Sequence, residues 1–286
     1  MISFTQAIIL GLLQGISELF PISSLGHSVI LPKLLGWNIH QNDSFFLTFL
    51  VATHFATALV LLGFFRKDWQ RIISGIIHSL RIREIKKSDS DARLGWLLII
   101  GTIPAGVLGL LLEDSLRSFF ASAQSAAFFL TLNGVLLFAA EILRRKRSEK
   151  SDLKQSDQRI ASLSWLQSFK VGLIQSIALI PGFSRTGAAI GGGLLVGLSH
   201  EDSARFSFLL ATPIIGAAAL LKLPELLSSA NNHLIIAALI GAVSAGISAY
   251  FTVKFLVKYF QTKTLTPFAV YCFLVGGIIS LYLLTI

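Results

Sequence analysis

Two short stretches carry residue types for which a lipid-soluble chain has no structural use. The first, GISELFPISSLGH at 15–27, holds Glu18, Ser23, Ser24 and His27 around Pro21 and Gly26. Ser24 and His27 lie three residues apart across a glycine-containing turn. That spacing can set an imidazole beside a hydroxyl, as a nucleophile and its base require. The pair alone is a weak signal, because a buried histidine more often serves a structural hydrogen bond. Glu18 can hold the histidine or bind a divalent cation, and Gln14, one helical turn earlier on the same face, offers a neutral oxygen. Oxygen ligands of this kind suit Mg2+ or Ca2+, completed by substrate phosphates. No His/Cys cluster points to zinc.

The second stretch, PGFSRTG at 181–187, has the parts of an oxyanion site. Gly182 and Gly187 let backbone N–H groups come close to an anion. Ser184 and Thr186 add hydroxyl donors, and Arg185 a fork that binds phosphate oxygens in pairs. A helix starting after the loop would add its positive end. A packing turn explains the glycines but not an arginine at membrane depth, where ionisable groups are costly and usually functional. The plainer alternative is a structural ion pair between Arg185 and Glu18. His54, in ATHFAT, is balanced between substrate contact and a structural hydrogen bond. Glu141, followed by Arg144 and Arg145, reads as an interfacial charge, and GGGLLVG at 191–197 as small-residue helix packing.

These residues sit in an integral membrane protein. Of 286 residues 53% are hydrophobic and only 14% charged, about half the soluble share. One cysteine, Cys272, excludes a disulfide framework. The N-terminus lacks a basic n-region and is expected to be retained. Apolar runs near 44–65, 94–112, 123–143, 206–221, 234–257 and 266–286 predict six spans, the fourth of them short. Regions 1–36 and 165–198 are broken by Pro and Gly and predict re-entrant helix hairpins, shielded from lipid by protein. With 66–93 cytoplasmic, 20 Lys and Arg fall inside and three (Lys33, Arg117 and Lys222) outside. The net charge of +9 is then topological, and no nucleic-acid partner is expected. Both termini and the site opening are expected outside. The hydrophilic run 144–159 reads as a mobile cytoplasmic linker.

The two broken regions also resemble each other. GLLQGISELFPISSLG (11–26) lines up with GLIQSIALIPGFSRTG (172–187) after a one-residue gap, pairing Gln14 with Gln175, Pro21 with Pro181 and Ser24 with Ser184. FLVATHFATALVLL (49–62) matches FLLATPIIGAAALL (208–221) at seven of 14 positions. The expected fold is all-α and polytopic, a single membrane domain over 1–286. Repeat one covers about 1–143, the linker about 144–164 and repeat two about 165–286, each repeat a re-entrant hairpin plus three spans. An odd number of crossings inverts the second copy, so the two loops should meet near the midplane. Glu18, Ser24 and His27 should then face Ser184, Arg185 and Thr186.

The segments QGISELFPISSLGH and PGFSRTG, in this order and separation, resemble the two motifs of the bacterial undecaprenyl-pyrophosphate phosphatase family, the BacA or UppP type. The likeness extends over essentially the whole chain, including GTIPAGVLGLLLED (101–114) and FSFLLATP (206–213). It implies hydrolysis of undecaprenyl pyrophosphate in the bacterial inner membrane, recycling the carrier for cell-wall synthesis, and an association with bacitracin resistance. By position, Glu18 matches the essential motif carboxylate, Ser24 the proposed nucleophile, His27 the motif histidine and Arg185 the phosphate-binding arginine. Ser24 with His27 as acid/base is the favoured pairing. Substrate contacts are expected from Ser23, Gly182, Ser184, Thr186, Gly187 and His54, and a Mg2+ or Ca2+ at Glu18 and Gln14. Gln14 stands where many members have a second Glu, and Ala189 where many have Thr. A homodimer is compatible with the sequence but not specified by it. The rival from another class is a transporter or flippase of an anionic lipid, which needs the anion site but no nucleophile.

Overall fold

The computed structural model describes residues 2–39, 44–119, 122–145, 156–228 and 232–285. Among them the regular elements are helical: α1 (Phe4–Leu19), α2 (Ser24–Leu34), α3 (Ser44–Phe64), α4 (Arg66–Ile82), α5 (Ser90–Phe119), α6 (Ala123–Arg145), α7 (Ser156–Ala161), α8 (Trp165–Gln175), α9 (Arg185–Val196), α10 (His200–Ser228), α11 (Asn232–Tyr259) and α12 (Thr266–Leu283). A 3-10 turn, Ser176–Leu179, extends α8. Six helices (α3, α5, α6, α10, α11 and α12) are long and apolar enough to cross a bilayer. The fourth span is not short. It begins at His200, six residues before the apolar run, because Arg159 meets Asp202 and Arg205 meets Asp68 and Asp157.

The broken regions form hairpins for reasons that can be read locally. Each opens with a capping box. Ser3 accepts from the Gln6 amide at 3.2 Å while Gln6 Oε1 accepts from the Ser3 amide at 2.8 Å, and Ser164 and Gln167 repeat both distances. Each first arm then stops before a proline, which forces the preceding residue out of the helical region. Phe20 (ψ 145°) precedes Pro21 and Ile180 (ψ 120°) precedes Pro181, both extended. The returning arms α2 and α9 have 11 and 12 residues, about 16–18 Å at 1.5 Å per residue. That is a little over half the hydrocarbon thickness, so neither crosses alone.

Close backbone contacts seat the hairpins. α1 packs on α11, where a Cβ on Gly11 would stand 2.3 Å from the Gly241 carbonyl oxygen. α8 packs on α5, where a Cβ on Gly172 would stand 2.2 Å from the Gly101 carbonyl oxygen. α6 packs on α12, and α3 lies against α10 and α11. The core between them is apolar, with Leu19, Leu61, Leu97, Leu130, Leu194, Phe206 and Phe208 all buried. The outward faces are apolar too: Leu111, Phe251 and Ile278 are 74%, 64% and 65% exposed. A surface of this kind belongs in lipid, where every helix satisfies its own backbone.

At one end of the bundle the polar segments are tied together. The 66–93 stretch is more than a loop. Its helix α4 buries Ile72, Gly75 and Ser79 against α5 and exposes Ile73, Ile77 and Leu80. Arg71 bridges Asp68 (2.6 Å) and Asp157 (2.8 Å), and Arg205 bridges the same two carboxylates at 2.9 and 2.8 Å. Residues 146–155 of the expected mobile linker lie outside the described residues. Its last part, from 156, is instead a packed helix with Asp157 and Ile160 buried, held by these ion pairs. Glu141 is likewise buried rather than interfacial. Its Oε2 lies 2.9 Å from His200 Nε2 and accepts from the Leu265 amide at 3.3 Å.

Candidate active site

The two hairpin tips meet inside the bundle. Ser23 caps α2, its Oγ accepting from the Gly26 amide at 3.2 Å, and Ser184 caps α9, its Oγ accepting from the Gly187 amide at 3.1 Å. These matching caps correct the pairing of Ser24 with Ser184. Ser23 is the counterpart of Ser184, and Ser24 stands level with Arg185 as the first residue of its helix. The second loop has one more residue between its proline and its cap, and this shifts the register.

Both first residues reach one carboxylate. Glu18, near the end of α1 and 7% exposed, accepts from Arg185 Nη2 at 2.8 Å on Oε1. Its Oε2 accepts from the Ser24 hydroxyl and from Gln14 Nε2 (3.2 Å), and lies 3.2 Å from His54 Nε2. His54 Nδ1 lies 2.7 Å from the Leu50 carbonyl. Both ring nitrogens therefore face acceptors, an arrangement that the doubly protonated imidazole satisfies. Two helix N-termini, a guanidinium and this ring gather positive charge around Glu18 and Ser24.

The loop donors expected to grip an anion are largely spent on holding the site. Thr186 Oγ1 donates to the Glu18 carbonyl at 2.8 Å, and Ser184 Oγ donates to the Phe20 carbonyl at 3.4 Å. The Gly187 N–H is taken by the cap, as the first turn of a helix requires. Gly182 has φ +107°, and a Cβ there would stand 2.5 Å from the Ala126 carbonyl oxygen. Its role is to turn the chain. Arg185 differs from these. Its Nη1 is buried and has no hydrogen-bond partner among the described residues.

His27 makes its hydrogen bonds away from the Ser24 hydroxyl. Its Nδ1 lies 2.6 Å from the Ser23 carbonyl and its Nε2 2.9 Å from the Tyr271 hydroxyl, while the Ser24 hydroxyl goes to Glu18. Sequence reasoning also missed Asn133. Wholly buried on α6, it donates to the Pro21 carbonyl (3.0 Å) and to Cys272 Sγ (3.3 Å) and accepts from the Ser184 amide (3.0 Å), joining the two tips. An uncharged residue in an apolar span gives no local signal of such a role.

A cavity of about 610 Å³ opens over the site. Glu18, Ser23, Ser24, His54, Ser184 and Arg185 line its polar end, and Leu47, Leu50, Val51, Ile214, Ile215 and Ala218 its apolar walls. Gln14 and Glu18 offer a divalent cation two protein side chains, and both oxygens of Glu18 already accept from donors. A guanidinium and an imidazole stand within 3.2 Å of that carboxylate. This donor set does not fit a resident Mg2+ or Ca2+, which takes six or more oxygens and favours anionic ligands.

The chain matches the model of the bacitracin resistance protein BacA over residues 7–278. It is 45% identical to the undecaprenyl-diphosphatase of Mycolicibacterium paratuberculosis (strain ATCC BAA-968 / K-10), with 96% of each chain covered. It is also 45% identical to undecaprenyl-diphosphatase 2 of Chromobacterium violaceum, with 95% of each covered. With undecaprenyl-diphosphatase 2 of Frankia alni it shares 41% over 97% of each. Both broken hairpins and all six spans fall within or across the matched region, and the chain belongs to the BacA family of bacitracin resistance proteins.

Proposed function

We propose that Ser24, Glu18 and Arg185 carry the reaction of this protein, the hydrolysis of undecaprenyl pyrophosphate to undecaprenyl phosphate and inorganic phosphate. The observation behind the site assignment is the divided guanidinium. Arg185 lines the cavity together with Ser24, spends Nη2 on Glu18 and keeps a buried Nη1 without an acceptor among the described residues. A buried donor calls for a partner, and pyrophosphate oxygens supply one. The apolar walls suit the first units of a prenyl chain.

In this reading the Ser24 hydroxyl is already aimed at its base, since it donates to Glu18. Oγ bonds to the terminal phosphorus as the bond from that phosphorus to the bridging oxygen breaks. Undecaprenyl phosphate leaves with the electron pair, and Glu18 takes the hydroxyl proton. Water then bonds to the phosphoserine phosphorus, the Oγ–P bond breaks, the proton on Glu18 returns to Oγ and dihydrogen phosphate departs. Arg185 and His54 hold the negative charge that shifts between oxygens. A Mg2+ or Ca2+ enters this proposal only as a counter-ion brought by the pyrophosphate, with Gln14 Oε1 as the spare protein oxygen beside Glu18.

The two halves are best read as inverted repeats. The capping boxes, Gly11 with Gly172, Gln14 with Gln175 and the capping serines all recur at one spacing. Each first helix is seated on a long helix of the other half. The ion pairs joining 66–93, 156–161 and 200–205 support placing those basic segments together on the cytoplasmic side of the inner membrane, with both termini outside. Accessibility labelling of single cysteines checks this orientation; a cytoplasmic C-terminus overturns it.

Phosphate release from undecaprenyl pyrophosphate by purified protein tests the chemistry. Ser24→Ala is expected to bind the lipid and release almost no phosphate, and Glu18→Gln to lose about 10²–10⁴-fold in turnover. Substantial turnover by Ser24→Ala removes Ser24 as the attacking group. Repeating the assay in EDTA separates the enzyme's own groups from a cation carried by the substrate.

A further inference from the structure

Ser23 has φ +67° and ψ 100°, and among the described residues the only other non-glycine with positive φ is Arg83. Arg83 is an ordinary left-handed cap after α4. Ser23 stands at the start of a helix, where capping residues are normally extended. Its carbonyl belongs to the peptide that leads into Ser24, so the tilt of that peptide sets where the Ser24 hydroxyl points. Strained backbone of this kind persists only where the surroundings hold it.

The holding contact is traceable. The Ser23 carbonyl accepts from the His27 amide at 3.2 Å and meets His27 Nδ1 at 2.6 Å. A carbonyl only accepts, so Nδ1 carries the ring proton. Nε2 is then a bare acceptor in the neutral ring, and the Tyr271 hydroxyl stands 2.9 Å from it as the donor. The two rings lie 15° from coplanar with centroids 5.8 Å apart. Tyr271 comes from α12, 244 residues further along the chain. In this hydrogen-bonded state His27 has no lone pair free to take a proton from Ser24.

We propose that Tyr271 is a positioning residue for hydrolysis. By donating to His27 Nε2 it fixes the tautomer whose Nδ1–H clamps the Ser23 carbonyl, and the clamp holds the strained peptide that presents Ser24 to Glu18. This rests on Ser24 being the nucleophile. His27 then acts through the backbone and not as the acid/base, and an amide can do the same work. The substitution His27→Asn places a donor near the position of Nδ1 and leaves no basic nitrogen.

The test measures phosphate release in four proteins: wild type, Tyr271→Phe, His27→Asn and the double variant. Tyr271→Phe keeps the ring and is expected to lower kcat about tenfold with KM unchanged and melting temperature within a degree or two, by analogy with other groups that orient a working side chain. His27→Asn should retain activity well above His27→Ala. In the His27→Asn background, Tyr271→Phe should cost less than twofold, because the hydroxyl no longer has a tautomer to fix. If Tyr271→Phe turns over like the wild type, or costs the same tenfold in the His27→Asn background, the positioning role is refuted. Inactivity of His27→Asn equal to that of His27→Ala refutes the clamp and returns His27 to acid/base chemistry. An active Ser24→Ala variant overturns the parent reading whatever Tyr271 does, so the two failures are distinguishable.

Discussion

The starts of α2 and α9 share one construction and do different work. Each is capped by a serine bonded to a glycine amide three residues on, and each sends its first side chain to Glu18. In α2 that side chain is a hydroxyl; in α9 it is a guanidinium. The turns before them differ as well. The second loop reaches positive φ at Gly182, where no Cβ fits, while the first puts positive φ on Ser23 itself. Glu18 has no counterpart either, since Leu179 stands at the matching spacing. The glutamines that precede them tell the same story. Gln14 donates to Glu18, whereas both polar side-chain atoms of Gln175 are buried without a partner among the described residues. Two similarly capped helix N-termini therefore face one carboxylate, one offering a hydroxyl and the other a guanidinium.

Exchanging charge for charge in the second tip is expected to have the largest effect. Arg185→Lys should lower turnover about 10²–10³-fold, since one ammonium cannot serve Glu18 and the phosphate as a planar fork does. Near-wild-type phosphate release would reduce Arg185 to a structural ion pair and dissolve the division of labour.

The next contrast concerns the turns. Gly182→Ala should destabilise by about 2–3 kcal/mol, because the new Cβ meets the Ala126 carbonyl and the backbone is left-handed. Ser23→Gly should do the opposite, raising stability by about 0.5–1 kcal/mol as relief of the left-handed residue outweighs a lost cap worth a few tenths. Its turnover should nevertheless fall. Thermal unfolding in detergent beside phosphate release measures both; a stabilised and fully active Ser23→Gly shows that the strain is unused.

The smallest effects separate the two glutamines. Gln14→Leu removes a donor to Glu18 and should cost three- to tenfold in turnover. Gln175→Leu should leave turnover within twofold and stability unchanged or about 1 kcal/mol higher, since it deletes an unpartnered buried amide. Equal losses in both variants would mean that Gln175 serves the site after all.

The spans and hairpins were legible because lipid imposes long apolar runs, and proline and glycine mark where they break. Glu18, Ser24 and Arg185 stood out because polar groups are rare in such runs. The first turn of α10 was hidden because Glu201, Asp202 and Arg205 look like the end of a span. Their neutralising partners lie dozens of residues away, at Arg159, Asp157 and Asp68. The position of His27 was unreadable for a related reason. Spacing brings it near Ser24, but the partner of its Nε2 arrives from α12, and no local pattern shows a tyrosine 244 residues away. Asn133 stayed silent for the same cause.

The glycine seats under α1 and α8 also have a mechanical meaning. Gly11 rests on a carbonyl of α11 and Gly172 on a carbonyl of α5, backbone to backbone, with no side chain between them to roll or slide. Each half is thus pinned to the other at two separate points. A rocking motion of one against the other would have to shear both contacts together, as in a braced truss. If Ser24, Glu18 and Arg185 react as proposed, such a frame holds them in one alignment while the lipid moves past.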